Sequence, residues 1–366
     1  MTQDSALKTV LVLGATGYTG QMVVAELARL GQPFIIAGRN REKLETLRKT
    51  LDLGQDGEIR IGDPTRPDSL SGLFEAKGPP VGVVINCVGP FTQLGEPVVR
   101  TAVEAGVHYL DITGEQAYLA RIVALFDSLA QQKGCAVIPA CGVEYALGNW
   151  AATLAAENLE PLDELWTATA IEKIRASRGT QLSLFEALSQ PGLGWQGGQR
   201  KLKMTATSAR RVEFPPPFGT RRAVWAPFGE LVTIPRHIRV RNMNSYMSLP
   251  APLALTLQAT SPLLPLVSRL LGKGLAKPLA KNPQPDYTEK SRWALVAESQ
   301  GAKGKRRVVL QGAHVYQLTA NILGWCAGKM LEPDFTARGV LGPAQVFDPR
   351  TALDYLKDFG VDYTIT

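Results

Sequence analysis

The chain has 366 residues, 45% hydrophobic and 20% charged, which is ordinary globular composition with room for two hydrophobic cores. Lys+Arg 40 against Asp+Glu 33 leaves a net charge of +7 without any long block of like charges. That pattern argues against a nucleic-acid tail and keeps anionic ligands or a membrane surface in view as partners. The four cysteines, Cys87, Cys135, Cys141 and Cys326, form no C-x-x-C pair and accompany only three histidines. No metal site is therefore expected, and reduced thiols of a cytoplasmic protein are. The polar residues 1–8 predict no signal peptide.

Residues 8–20 read KTVLVLGATGYTG. An apolar strand at 10–13 runs into glycines at 14, 17 and 20, and residues 21–30 have helical character. Strand, glycine turn and helix form a phosphate cradle. The first glycine permits the tight turn, the second lets backbone approach a pyrophosphate, and the third lets helix pack on strand. The positive end of the helix dipole then faces the phosphates. Gly14, Thr16, Gly17, Tyr18 and Gly20 are the candidate cofactor contacts of this turn.

Further strands are expected at 34–37, 58–61, 81–88, 107–112 and 136–139, with helices at 41–51, 67–74, 95–105 and 116–133. Alternating strands and helices predict an α/β domain, a doubly wound parallel sheet with its ligand crevice at the carboxyl ends of the strands. The second strand ends Gly38-Arg39-Asn40-Arg41, with no carboxylate before Glu42. A carboxylate there would bind the ribose 2′-hydroxyl of NAD, whereas guanidiniums suit the 2′-phosphate of NADP. Arg39, Asn40 and Arg41 thus favour NADP over NAD. Arg41 also reads as a solvated residue of the next helix.

Asp63 reads either as an adenine-side contact or as the cap of the Pro64 turn. Cys87, Val88, Gly89 and Pro90 follow the fourth strand, where glycine and proline stop the strand and expose backbone to a cofactor. Tyr109, Asp111 and Thr113 alternate onto one face at the end of the fifth strand. Thr113 and Glu115 read equally as the cap and first turn of a helix. The domain is expected to span 1–145.

From residue 164 the texture changes to alternating strands: 165–174, 201–214, 222–234, 238–249, and a hairpin of 293–299 with 305–311. A helix is expected at 180–189 and another at 315–331. These elements predict an α+β substrate or dimerisation domain over 146–335, inserted before a segment 336–366 that packs back on the first domain. Residues 242–268 lack charge, prolines interrupt them, and lysines follow at 273, 277 and 281. Residues 250–281 are too broken to span a membrane. Three readings stay open: buried core or homodimer interface, a greasy substrate tunnel, or a peripheral membrane contact with a basic flank.

The motifs GATGYTG (14–20), AGRNREKL (37–44), NCVGPF (86–91), HYLDITGE (108–115), RGTQLS (178–183) and GVLGPA (339–344) resemble the saccharopine dehydrogenase-like oxidoreductases, including the branch of trans-acting enoyl reductases. The resemblance implies a Rossmann domain, an inserted α+β domain and NAD(P)-dependent reduction. The segment GVEYALGN at 142–149 departs from the family's usual GFDSIPSD. The expected reaction is hydride transfer from NADPH to a C=N, C=C or C=O bond of a small or lipid-like substrate. Tyr109, Asp111 and Glu144 are the candidate proton donors. Phe91, Glu115, Arg178 and Thr180 are candidate substrate contacts. A short-chain dehydrogenase is disfavoured, since no tyrosine has a lysine four residues on. A non-catalytic NADP-binding protein associated with lipid is the alternative.

Overall fold

The computed structural model describes residues 8–54, 57–75, 78–174, 177, 180–181, 191–261 and 290–366. The chain divides into two units. Unit 1 comprises Met1–Thr113, Ala120–Gly142 and Tyr316–Leu341, and unit 2 comprises Gly114–Leu119, Val143–Val315 and Gly342–Thr366.

Unit 1 is built on β1 (Thr9–Leu13), β2 (Phe34–Gly38), β3 (Glu58–Ile61), β4 (Val81–Asn86), β5 (His108–Asp111) and β6 (Ala136–Ile138). These strands are all parallel and lie in the order β6-β5-β4-β1-β2-β3, with Gly339–Val340 added outside β6. The chain order reverses between β1 and β4, which is the ligand-binding switch point of a doubly wound sheet. β1, TVLVL, is buried along its whole length, as a strand covered on both faces requires. Helices α1 (Tyr18–Arg29), α2 (Arg41–Thr50), α3 (Gly72–Glu75), α4 (Phe91–Glu104) and α5 (Gln116–Lys133) connect the strands. α1 buries Met22, Val23, Val24 and Leu27, and α2 buries only Leu44 and Leu47. The helix expected at 67–74 is a 3₁₀ turn, Pro67–Ser69, followed by the single turn α3. Proline suits the first turn, and Gly72 disfavours one continuous helix.

Unit 2 contains α6 (Val143–Ala156), β7 (Leu162–Glu172), β8 (Gly192–Gln196), β9 (Gln199–Lys203), β10 (Ala209–Glu213), β11 (Thr220–Trp225), α7 (Glu230–Thr233), β12 (Val240–Ser248), α8 (Ala251–Thr260), β13 (Arg292–Gly301) and β14 (Gly304–Ala313). After it come α9 (Val315–Met330), β15 (Gly339–Val340), α10 (Pro343–Val346), α11 (Pro349–Lys357) and β16 (Asp362–Ile365). The second sheet has the path β10-β11-β12-β7-β13-β14-β16, with β8 on β12 and β9 on β8. It is mixed: β12 and β7 are parallel, and the other pairs are antiparallel. α6 is apolar nearly all round and buried nearly all round, packing on β7, β13 and β14.

Three expectations are corrected. Residues 230–234, the end of the strand expected at 222–234, are instead helical: α7, then the start of the 3₁₀ turn Ile234–Arg236. Burial of the segment overrides the local preference. α9, placed in the second domain from sequence, belongs to unit 1. The C-terminal segment returns to the first sheet only as β15. Residues 342–366 belong to unit 2, because β16 completes the edge of β14 with Tyr363 opposite Leu310. The expected helix at 180–189 lies outside the described residues beyond Gln181, and so does the stretch 262–281 of the apolar segment. Among the described residues no helix is long and apolar enough to cross a membrane.

Candidate nucleotide site and a buried carboxyl cluster

The glycine turn has the shape that the sequence spacing predicts. Gly14 adopts φ +84°, and a Cβ there would stand 2.7 Å from Val88 Cγ2. Its N–H donates to the Ala37 carbonyl (2.9 Å), and Cys87 N–H donates to the Leu13 carbonyl (2.9 Å). The turn is thus clamped between β2 and the end of β4. At Gly20 a Cβ would fall 2.2 Å from the Gly14 carbonyl oxygen, so only glycine lets α1 approach the turn this closely. Gly17 is the exposed N-cap of α1; no side chain caps this end, and its first turn has no acidic residue. The amide groups of a helix's first turn have no acceptor within the helix, so this end suits an anion. The Thr16 carbonyl accepts from Gln21 Nε2 at 3.1 Å, and Tyr18 packs edge-on against Tyr316.

Around the turn stand the ends of β2, β3 and β4. Arg39 is exposed immediately after β2. Asn40 acts as a helix cap, its Oδ1 accepting from Lys43 N–H at 2.9 Å, and Arg41 is exposed in the first turn of α2. Asp63 caps its own turn, accepting from Thr65 N–H (3.0 Å) and Thr65 Oγ1 (2.8 Å). The Thr65 amide bond, more than the nearby Arg66 and Arg39 charges, holds its carboxyl below the usual range. Cys87 through Pro90 run beside Gly14, and burial pushes the Cys87 thiol up to about 12, with the Asp111 charge adding to it. Phe91 is buried as the first residue of α4.

Tyr109 and Asp111 come together, but in the interior. Both are fully buried. Tyr109 Oη donates to Asp111 Oδ2 (2.9 Å) and accepts from Asn86 Nδ2 (3.0 Å). Asn86 Oδ1 accepts from Val88 N–H (3.0 Å). Asp111 Oδ1 accepts from Thr113 N–H (3.0 Å) and Ala140 N–H (2.8 Å), and Ala140 sits at φ +58°. One network therefore fixes the loops leaving β4, β5 and β6. Non-glycine residues hold a positive φ where surrounding bonds enforce it, and functional sites collect such positions. The expected alternation of Tyr109 and Asp111 onto one face is present, with a positioning role.

The remaining candidate acids lie in unit 2. Glu115 is buried, and Glu144 stands in the first turn of α6, where burial raises its carboxyl above the usual range. Beside Glu144, Tyr145 donates its hydroxyl to the Gly114 carbonyl at 2.7 Å. Burial, followed by the charges of Glu144, Glu230 and Glu115, pushes the Tyr145 phenol well up.

Glu230 is the residue that sequence reasoning missed. It is 1% exposed, and its Oε1 accepts from Thr167 Oγ1 at 2.7 Å. Its Oε2 has no hydrogen-bond partner among the described residues. Burial raises its carboxyl from the ordinary 4.5 to about 7, against the lowering effect of the Thr167 bond. Gly148 on α6 makes room for it, since a Cβ there would stand 3.2 Å from Oε1. The available signal was a lone acid inside the apolar stretch AVWAPFGELVTIP at 223–235. Thr180 bonds locally, its N–H donating to Ser177 Oγ at 3.2 Å, and Arg178 lies outside the described residues.

Residues 10–160 match the family described as the saccharopine dehydrogenase NADP binding domain. Over this stretch the chain is similar to the NADP-binding domain of the saccharopine dehydrogenases. The saccharopine dehydrogenase-like oxidoreductase of Bos taurus is 35% identical over 149 residues, 37% of this chain and 34% of that protein. A Mycobacterium tuberculosis protein that bears the name of a trans-acting enoyl reductase is 30% identical over 138 residues, 37% of this chain and 32% of its own. The matched stretch thus spans about a third of the length of each relative. The saccharopine dehydrogenase (L-Glu forming) of Saccharomyces cerevisiae shares the fold, with a TM-score of 0.66 at 13% identity over 98% of this chain and 100% of that one.

The matched stretch fits NADP on its own geometry. The three glycines leave a cradle that a Cβ would fill, the α1 N-terminus is uncapped, and Arg39 follows β2 where an NAD-selecting carboxylate would stand.

Proposed function

We propose that this protein is an NADPH-dependent reductase that delivers hydride to a C=N, C=C or C=O bond of a small or lipid-like substrate. The observation that carries the reading is the open glycine turn and uncapped α1, with Arg39 at the end of the neighbouring strand β2. When bound, the dinucleotide supplies the hydride. The α1 amides and the Gly14 turn hold its pyrophosphate, and Arg39 with Arg41 holds the 2′-phosphate. Cys87 to Pro90 shape the adjoining wall, and the Asn86–Tyr109–Asp111 network keeps that wall rigid. The reduced substrate then needs a proton. Glu144 is the donor in this reading, because burial raises its carboxyl above the usual range and so favours the protonated form.

The enoyl branch of the reading draws support from the name of the mycobacterial relative. The test is NADPH oxidation followed at 340 nm (about the nicotinamide absorption) across imine, enoyl-thioester and ketone panels, with Glu144→Gln as control. Turnover on one class, reduced at least about tenfold by Glu144→Gln, is expected. Tight NADPH binding without turnover on any class refutes catalysis.

A further inference from the structure

Unit 2 contains a cleft of about 640 Å³, a size typical of small-molecule sites. Its lining comes from the start of β7, the β8–β9 turn, the 3₁₀ turn before β12, the first residues of β12, and Ala302. Hydrogen bonds fix these walls. Trp195 Nε1 donates to the Val240 carbonyl (2.9 Å), Gly197 N–H donates to Asn242 Oδ1 (3.0 Å), and Leu162 N–H donates to the Arg239 carbonyl (2.9 Å). His237 at the rim is held 3.2 Å from the Thr233 carbonyl and 3.5 Å from Thr153 Oγ1.

The charge of this lining is one-sided. Arg236, Arg239 and Arg241 face a single acidic lining residue, Asp163. Glu160 adds one carboxylate next to the cleft, but it is engaged: its Oε2 accepts from Arg239 N–H at 2.6 Å and stands 3.8 Å from Arg239 Nε. Arg241 is exposed and makes no ion pair among the described residues. Guanidinium forks match the oxygens of phosphate in geometry and charge, and three guanidiniums exceed what the two carboxylates, Asp163 and Glu160, neutralise. The same cleft is also lined by the Trp195 indole and by Ile238, which offer apolar surface.

The geometry points to a second ligand site in this cleft, one that takes an organic phosphate: Arg236, Arg239 and Arg241 hold the phosphate, and the Trp195–Ile238 wall receives its organic arm. The phosphate can belong to a soluble ester or to a lipid headgroup. The site is made entirely of unit 2 residues and is separate in sequence from the glycine turn.

The test uses the full chain carrying one equivalent of NADPH, titrated calorimetrically with phenyl phosphate. A parallel arm floats the protein with phosphatidylcholine vesicles containing phosphatidic acid. The wild type is expected to bind phenyl phosphate, and Arg239→Ala/Arg241→Ala to bind it at least about tenfold more weakly, with NADPH affinity unchanged. Co-flotation that the double variant loses identifies a lipid headgroup as the source, and calorimetric binding without flotation identifies a soluble ester. Absence of binding in both arms, or equal binding by wild type and variant, overturns the site. Failure of the reductase reading would show separately, as loss of NADPH binding while the phenyl phosphate response persists.

Discussion

Glu230→Gln should change stability in a way that depends steeply on pH. Glu230 is buried, with one carboxylate oxygen bonded to Thr167 and the other without a hydrogen-bond partner among the described residues. Its carboxyl is raised from 4.5 to about 7, chiefly by burial. The folded protein therefore holds this proton more tightly than the unfolded chain does. The resulting stabilisation is full below pH 4.5, falls as pH rises, and is gone above about 7. The gap corresponds to about 3 kcal/mol. Glutamine mimics the protonated side chain: it is neutral, and its carbonyl can still accept from Thr167. Near pH 5 the variant should match the wild type within about 1 kcal/mol, and near pH 8.5 it should be the more stable by roughly 2–3 kcal/mol. Urea denaturation at both pH values, followed through the fluorescence of Trp150, Trp166 and Trp225 of the same unit, gives the numbers. A difference between variant and wild type that is the same at both pH values would refute the reasoning.

Three further outcomes follow from unit 1. Gly20→Ala places a Cβ 2.2 Å from the Gly14 carbonyl, so α1 must shift; a loss of about 1–3 kcal/mol in thermal unfolding and abolished NADPH binding are expected. Arg39→Ala should weaken NADPH by about tenfold or more and leave NADH nearly unchanged, measured by calorimetry, and equal losses would remove the 2′-phosphate assignment. Asp111→Asn turns an acceptor of two amides and a phenol into a group with only one acceptor oxygen. It should cost roughly 2–4 kcal/mol and mobilise the 139–142 loop in hydrogen exchange; unchanged protection there would show that the network does not hold the loop.

Much of unit 1 was legible in the sequence because its information is local. The glycine spacing at 14, 17 and 20 sets a backbone shape by itself, since no other residue fits φ +84° at Gly14 or the close approach at Gly20. The arginine after β2 is likewise read from its place at a strand end. Tyr109 and Asp111 were correctly placed on one face by their period of two. Their burial was not legible, since it depends on Asn86 and Ala140, 23 and 29 residues away from their partners.

Unit 2 was harder for the same physical reason. The run Val232-Thr233-Ile234 has strand preference, yet it folds as a helical turn that carries Glu230 into contact with Thr167, 63 residues earlier. The elevated proton affinity of that carboxyl comes from what surrounds it rather than from anything in its own segment. The arginine cleft gathers its lining from four stretches between residues 161 and 302, so no window of sequence contains it. The final strand, β16, joins unit 2 because β14 presents an unpaired edge, and backbone edges are created only by the folded sheet. Sequence determined what short-range sterics dictate: the parallel α/β order, the phosphate turn and the cationic strand end. Tertiary structure decided whatever depends on desolvation and distant pairing, which are properties of a packed neighbourhood.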